Sequence, residues 1–324
     1  MKRFILILAV AVLALGCLTA CGNGGKDNGK LKIVTTIFPE YDWVMNILGD
    51  NPAGAEVTML LDSGVDLHSF QPTAEDILKI ASCDMFIYVG GESDAWVEDA
   101  LRNASNKNRI VINLLEVLGD KVKEEELVEG MQGEEEEEGE GEEEGPEYDE
   151  HVWLSLKNAS ILVNKIAESI AKLDPEHKSI YSFNAKNYGD KLNTLDTSFK
   201  EAVDAASVKT LLFGDRFPFR YLTDDYGLKY YAAFVGCSAE TEASFKTIVF
   251  LANKMDELSL HAVMTIEGTD HRIAETIIQN TQSKDQKVLT LDSMQSVTSA
   301  DVKKGTTYLG IMESNLAVLK EALK

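Results

Sequence analysis

The sequence predicts an α/β fold of two lobes, each a parallel sheet with flanking helices, bridged by one long rigid helix. Short apolar runs alternate with amphipathic runs, which is the pattern of parallel strands joined by helical crossovers. This alternation occurs once in each half of the chain. Between the halves, a helical apolar pattern continues for about thirty residues, or about 45 Å at 1.5 Å per residue, which is too long for one compact lobe.

The N-terminal lobe is expected to span residues 31–173. Its apolar runs predict four strands, at Lys32–Ile37, Val57–Leu61, Met85–Val89 and Ile110–Leu114. Its amphipathic runs predict four helices, around Tyr41–Leu48, Glu75–Ala81, Ala95–Ala104 and Asn158–Leu173.

The connecting helix is expected to span residues 174–206, because Asp174-Pro175 is a helix start signal with proline at the first helical position. The C-terminal lobe is expected to span 207–324. Its predicted strands are Lys209–Phe213, Tyr230–Phe234, Ala262–Ile266 and Val288–Leu291. Its predicted helices are Phe217–Tyr226, Ser244–Leu258, Ile273–Thr281 and Thr306–Leu323.

The N-terminus reads as a lipoprotein signal peptide, residues 1–20. Lys2 and Arg3 precede the apolar run Phe4–Leu15, which is short for a membrane span. The run ends in Leu18-Thr19-Ala20-Cys21, a lipobox that predicts acylation of Cys21 and anchoring at the cell membrane. The alternative is an ordinary secretory signal with an incidental cysteine. Residues 21–30, rich in Gly and Asn, predict a flexible tether.

The net charge of −23 is concentrated in one segment. Residues 124–150 contain sixteen acidic and no basic residues, and removing those sixteen charges from −23 leaves −7. Like charges repel and glycine adds no core, so we expect a disordered acidic loop over residues 122–150. It either concentrates cations near a binding cleft or serves only as a soluble linker. The absence of a basic patch argues against nucleic-acid binding.

Two histidines have unusual local settings. His68 lies in Asp66-Leu67-His68-Ser69-Phe70-Gln71-Pro72-Thr73, and His151 follows Asp149-Glu150 and precedes Val152-Trp153. Imidazoles on separate segments, each beside carboxylates, suit a divalent transition metal. The other three histidines, His177, His261 and His271, are expected to be ordinary. Nothing in the sequence marks Cys83 and Cys237 as a pair.

These settings carry a family resemblance over essentially the whole chain after residue 20. The chain resembles the metal-specific substrate-binding lipoproteins of ABC importers, the zinc/manganese cluster. The positions that carry it are His68 with Phe70–Thr73 and Asp76, His151–Ser155, Asp174-Pro175, Tyr181, Asn184, Tyr226-Gly227-Leu228, Glu242, Ser244, Tyr308, Met312, Asn315 and Leu319. The resemblance implies two α/β lobes with a metal ion in the cleft between them.

The resemblance implies that His68 and His151 are metal ligands, but the chain departs from the family at the third. There the family usually has His or Glu, and this chain has Arg216, which has no lone pair to donate. Its neighbour Asp215 is our candidate third ligand, with a helix N-cap as the alternative role. Arg216 would then contact Asp215 or another carboxylate of the cleft.

The fourth ligand implied by the resemblance is an Asp after a late strand, and Asp292 occupies that place. A turn or cap role is the alternative for Asp292, and Glu267 is a backup carboxylate. Two carboxylates move metal preference toward manganese. Zinc-specific members, however, carry a His- and acid-rich loop just before the second histidine, and here the loop has Glu without His. We therefore expect Zn²⁺ as the transported ligand, with Mn²⁺ as the alternative.

The function implied by the resemblance is uptake of a metal ion without catalysis. The expected partners are an ABC permease and its ATPase, with the receptor itself a monomer on the extracytoplasmic face of the cell membrane. An extracellular metallohydrolase is a less favoured alternative, because the sequence contains no His-Glu-x-x-His pair. A receptor for a metal chelate is another, although it would not need His68 and His151.

Overall fold

The computed structural model describes residues 30–102, 105–133, 147–238 and 242–324. The predicted signal peptide, Cys21 and residues 134–146 of the acidic loop therefore lie outside the described residues. Within the described ranges, no helix combines the length and the apolar character needed to cross a membrane.

Eight strands form two separate four-stranded sheets, and every pairing is parallel. The strands are β1 (Lys32–Thr35), β2 (Glu56–Met59), β3 (Met85–Tyr88), β4 (Ile110–Asn113), β5 (Thr210–Phe217), β6 (Lys229–Val235), β7 (Ala262–Ile266) and β8 (Lys287–Leu291). The strand orders are β2-β1-β3-β4 and β6-β5-β7-β8. Burial on both faces makes such strands continuous apolar runs, which is why the sequence located them. The predicted fold class is confirmed.

Eleven α-helices occur within the described residues. They are α1 (Phe38–Leu48), α2 (Ala74–Ser82), α3 (Trp96–Arg102), α4 (Leu114–Leu118), α5 (Leu156–Leu173), α6 (Lys178–Ala205), α7 (Arg220–Tyr226), α8 (Phe245–Glu257), α9 (Arg272–Gln279), α10 (Ser299–Lys303) and α11 (Tyr308–Ala322). Most begin with a side-chain cap, such as Thr73 before α2 and Ser155 before α5, each accepting a hydrogen bond from a backbone N–H of the first turn.

Helix α6, of 28 residues, packs against helices of both lobes. Its entry is set by Asp174, whose carboxylate accepts hydrogen bonds from His177 Nδ1 (2.7 Å) and the Tyr181 hydroxyl (2.5 Å). Near its start Asn184 donates to the carbonyl of Ile47 in α1 (3.0 Å). Further along, Asp196 accepts from the hydroxyl of Tyr226 in α7 (3.0 Å). The helix is therefore bonded to the first lobe at one end and to the second lobe nearer the other.

The boundary between β5 and α7 differs from the prediction. Strand β5 continues to Phe217, and α7 begins at Arg220 rather than at Phe217. The pairing of β5 with β6 shifts register between Phe213 and Arg216. A Cβ on Gly214 would lie 2.6 Å from Cα of Ala274, so only glycine allows α9 to pack this closely on the strand.

The described parts of the acidic loop are packed, so the prediction of disorder is wrong for them. Gln132 donates its backbone N–H to the carbonyl of Ala233 (2.9 Å) and accepts at its side chain from Ser244 N–H (2.9 Å). The N–H of Glu125 donates to the carbonyl of Glu147 (2.9 Å), which closes the base of the loop. Contacts with the second lobe, which local composition does not reveal, hold these residues.

Candidate metal centre

His68 lies on a 3-10 turn, Leu67–Ser69, that follows the carboxyl end of β2. Asp66 caps this turn, because its Oδ1 accepts the backbone N–H of His68 (3.0 Å). Nδ1 of the His68 ring shares a hydrogen bond with Ser93 Oγ (2.7 Å). The N–H of Ser93 in turn donates to Oε1 of Glu150 (2.9 Å). These contacts hold the ring at Nδ1 and leave Nε2 facing His151.

His151 directly precedes a second 3-10 turn, Val152–Leu154, and its ring is completely buried. Asp149 Oδ1 accepts from both the backbone N–H (2.9 Å) and Nδ1 (3.1 Å) of His151. The hydroxyl of Tyr221 donates to the carbonyl of Asp149 (2.8 Å), and the Trp153 ring packs 5.3 Å from the imidazole, centroid to centroid. A carboxylate on Nδ1 leaves Nε2 as the atom available to a metal.

The two histidines meet at these free nitrogens. Nε2 of His68 and Nε2 of His151 lie 3.2 Å apart, within hydrogen-bond distance. Burial, and next the charge on His151, lower the pKa of His68 to about 3. Burial opposes protonation of His151 as well, but the charge and hydrogen bond of Asp149 raise its pKa above the usual value. A cation entering between the rings would replace the hydrogen that joins the two nitrogens.

A third donor stands at the same place, and sequence reasoning missed it. Sγ of Cys237 and the two imidazole nitrogens all lie within 4.8 Å of one another. Across the ranges that the structure describes, no other three His, Cys, Asp or Glu residues are grouped closely enough to hold a metal. Cys237 is unpaired, and burial together with the charge of Glu125 raises the pKa of its thiol well above the usual value. The only signal in the sequence was a Gly-Cys pair after a predicted strand.

Asp215 lies near this centre but outside the three-residue group. Its carboxylate accepts from the backbone N–H groups of Arg216 (2.9 Å) and Ile266 (3.3 Å) and from Thr269 Oγ1 (2.9 Å). Burial raises its pKa. It is also not the N-cap of α7, a position that Phe219 occupies. Both predicted roles for Asp215 assumed that β5 had already ended, and a ligand role for it stays a prediction.

Arg216 makes its ion pair with Asp66 (2.6 Å) and not with Asp215. Arg216 was predicted to contact either Asp215 or another carboxylate of the cleft. In the structure it contacts another carboxylate, that of Asp66. A cavity of about 410 Å³ lies beside this pair and is lined by residues of both lobes, among them Ser69, Asp215 and Ser238.

Asp292 and Glu267 form a separate carboxylate pair after β8 and β7. Asp292 Oδ1 accepts from Met294 N–H (2.7 Å), and burial with the charge of Glu267 raises the pKa of Asp292 to about 6. Glu267 accepts from the N–H (2.7 Å) and the hydroxyl (2.8 Å) of Ser293 and from Gln295 N–H (3.1 Å). Neither carboxylate joins the His68–His151–Cys237 group, and their ligand roles stay predictions.

The fold agrees with a comparison to known families. Residues 33–322 match the ZnuA family model, described as zinc-uptake complex component A, periplasmic. The chain belongs to this family. Similar relatives include the zinc-binding lipoprotein AdcA of Streptococcus pneumoniae, 33% identical over 99% of this chain and 61% of that protein. The high-affinity zinc uptake system protein ZnuA of Bacillus subtilis is 30% identical over 94% and 93% of the two chains.

Solved structures of ZnuA-like proteins share the fold. The Zn(II)-bound ZnuA-like domain of S. pneumoniae AdcA is 29% identical, with a TM-score of 0.69, and the match covers 91% of this chain and 99% of that domain. The metal-dependent lipoprotein YcdH of B. subtilis is 27% identical, with a TM-score of 0.72, over 91% and 100% of the two chains. The present chain spans about three fifths of the length of the pneumococcal AdcA relative.

Proposed function

We propose that this protein is a receptor that binds one zinc ion between its two lobes and delivers it to an ABC permease, whose ATPase drives uptake. The observation that carries the proposal is the buried His68–His151 pair, whose Nε2 atoms face each other at 3.2 Å while each Nδ1 is held by another side chain. Imidazole nitrogen is a common zinc ligand. The names of the AdcA and ZnuA relatives give zinc as their metal.

The test is metal binding by His68→Ala and His151→Ala. Either change should weaken zinc binding by several kcal/mol. This is the scale expected for loss of one metal–ligand bond from a site whose total binding free energy is roughly 10–16 kcal/mol. His261→Ala is the matched control, because its Nε2 donates to the carbonyl of Glu321 (2.9 Å), away from the group. Competition titration gives the affinities. Parental zinc affinity in both His68 and His151 variants would contradict the proposal.

Manganese is the competing cargo, and elemental analysis after reloading from a mixed-metal buffer decides between them. Binding sites with nitrogen donors favour Zn²⁺ over Mn²⁺ in raw affinity. We therefore expect zinc in the recovered protein. Manganese at equal or higher occupancy would reassign the cargo without changing the receptor role.

A metallohydrolase is the competing class of function. A catalytic zinc keeps an open coordination position for water, whereas a transport site encloses its ion. His151 is fully buried and His68 nearly so, which favours enclosure. Zinc-loaded protein should therefore leave generic ester and phosphate substrates unchanged, and turnover that His151→Ala abolishes would support the enzyme.

We also propose that Cys21 carries lipid that holds the receptor on the outer face of the cell membrane. Leu18-Thr19-Ala20-Cys21 after an apolar run supports this, and so does the name of the S. pneumoniae relative, a zinc-binding lipoprotein. Cys21→Ala should move the protein from the membrane fraction to the soluble fraction. If the variant fractionates like the parent, something other than lipid on Cys21 attaches it.

A further inference from the structure

We propose that the thiolate of Cys237 is the third protein ligand of the metal, so that the site is built from two imidazoles and one sulfur. This inference rests on the proposed function, because it names a ligand of the same site. It departs from the two carboxylates predicted from the sequence. The sulfur lies within 4.8 Å of an imidazole nitrogen of each histidine, and the described Asp and Glu side chains contribute no member to that group.

The spacing of the donors suits a single ion. Zinc bonds are about 2.0–2.1 Å to nitrogen and about 2.3 Å to sulfur, so two nitrogens and one sulfur on a tetrahedral ion lie roughly 3.3–3.6 Å apart. The Nε2 atoms of His68 and His151 are 3.2 Å apart without an ion. The sulfur, which lies within 4.8 Å of an imidazole nitrogen of each histidine, therefore needs to approach by about 1.2 Å or less to complete three corners of a tetrahedron.

The backbone before Cys237 is built for this approach. Gly236 follows the carboxyl end of β6, and a Cβ there would lie 3.1 Å from Cε1 and 3.2 Å from Nδ1 of His151 and 2.9 Å from the carbonyl oxygen of Phe217. A side chain at 236 would therefore push the turn away from the imidazole. Glycine lets the turn, and with it the next residue, lie close to the imidazole.

A second contact fixes the position of the cysteine. Glu125, at the start of the acidic segment, accepts the backbone N–H of Cys237 on its Oε1 (3.1 Å). Cys83, the other described cysteine, is buried in the first lobe with its Sγ donating to the carbonyl of Ile80 (3.2 Å), and neither cysteine forms a disulfide. Cys237 is therefore available as a ligand, and on binding the metal takes the place of the thiol proton, which leaves to solvent.

Cobalt reports sulfur coordination directly. The full chain in detergent, loaded with Co²⁺, should show the near-ultraviolet sulfur-to-cobalt charge-transfer absorption. Cys237→Ser should abolish this absorption and weaken zinc binding by more than the roughly 10–100-fold that loss of an outer contact costs. It should weaken Cd²⁺ binding further still, because cadmium prefers sulfur. Cys83→Ala is the matched control and should keep both the absorption and the affinity.

The outcomes separate this inference from the proposed function. If His68→Ala and His151→Ala lose zinc while Cys237→Ser binds it like the parent, the receptor stands and the sulfur ligand is wrong. Asp215→Asn and Asp292→Asn, measured beside it, then show whether a carboxylate takes that position. If none of the variants loses zinc, the receptor proposal fails as well. Thermal unfolding of each metal-free variant confirms that a lost affinity is not a lost fold.

Discussion

Arg216 and Asp66 join the two lobes beside the metal centre, with Nη2 of the arginine 2.6 Å from Oδ2 of the aspartate across 150 residues of sequence. Asp66 lies two residues before His68, and Arg216 lies on β5 of the other lobe. Burial opposes ionisation of Asp66, but the charge of Arg216 lowers its pKa. The pair therefore places a fixed positive charge near a cation site and neutralises it with a carboxylate.

We expect Asp66→Asn to weaken zinc binding. The amide keeps an oxygen that can cap the His68 turn, but it removes a negative charge 3.9 Å from Nε2 of His68 and leaves Arg216 unpaired beside the site. Both effects disfavour a cation. A loss of roughly 10–100-fold is the scale for a group that supports a ligand without binding the metal. Competition titration at fixed pH measures it.

The double variant with Arg216→Gln separates charge from packing. If the unpaired guanidinium repels the ion, Asp66→Asn with Arg216→Gln binds zinc more tightly than Asp66→Asn alone. Charges in contact are expected to couple in this way. Additive effects of the two single changes would show that the ion pair acts independently of the metal.

A second prediction concerns the partners of the imidazoles. Asp149→Asn should weaken zinc binding by roughly 10–100-fold, because the carboxylate on Nδ1 of His151 fixes the ring and makes Nε2 more basic. Ser93→Ala should cost less, since it removes a neutral partner from His68. Isothermal titration of both variants compares them, and an equal loss would mean that charge on the partner is unimportant.

The strands were predictable because each contains a short apolar run, although β2, β4 and β8 are only partly buried. All eight appear within a few residues of the predicted positions, apart from the carboxyl end of β5. There Phe217 and Pro218 resembled the start of a helix, whereas the pairing of Arg216 and Phe217 with Phe234 and Val235 of β6 extends the strand and is invisible in local sequence. Contacts between distant elements decided this boundary.

The centre was predictable only in part, for a related reason. His68 and His151 stand out through their own neighbours in sequence, and the structure brings their rings together. Cys237 has no such setting, and it reaches the site because α6 and the acidic segment hold the second lobe against the first. Resemblance to a family could suggest the third position on β5, but in this chain that position carries Arg216, which pairs with Asp66.

The third prediction concerns Glu40, which is completely buried in the first turn of α1. Its Oε2 accepts from the N–H groups of Thr36 (2.8 Å) and Ile37 (3.3 Å), while Oε1 has no partner. Burial, and next the charge of Asp94, raise its pKa from 4.5 to about 8. The folded state therefore holds this proton more tightly than the unfolded state. Its contribution to stability is full below pH 4.5 and is lost as pH rises through about 8.

Glu40→Gln should remove that loss. A glutamine oxygen can accept the same N–H groups without ionising, so the variant should exceed the parent in free energy of unfolding at pH 9 but not at pH 5. At pH 9 the free energies of unfolding of variant and parent should differ by several kcal/mol, because a difference of one pKa unit corresponds to about 1.4 kcal/mol. Urea unfolding across this pH range measures the difference. The exposed Glu313→Gln serves as control, and a constant difference between Glu40→Gln and parent at all pH values would contradict the argument.

The last prediction concerns residues 134–146. Their flanking segments are anchored by Gln132 on the second lobe and by Glu147, which lies four residues before His151. Replacing the run with a neutral Gly/Ser segment of equal length should leave the unfolding temperature unchanged, because the anchors remain. It should slow zinc association at low salt, where the screening length is about 30 Å at 0.01 M against about 10 Å at 0.1 M. Stopped-flow measurement at both salt concentrations tests this, with a scrambled run of the same charge as control. If zinc associates equally fast with the neutral and the parental proteins at low salt, the acidic run is a soluble linker without a role in zinc association.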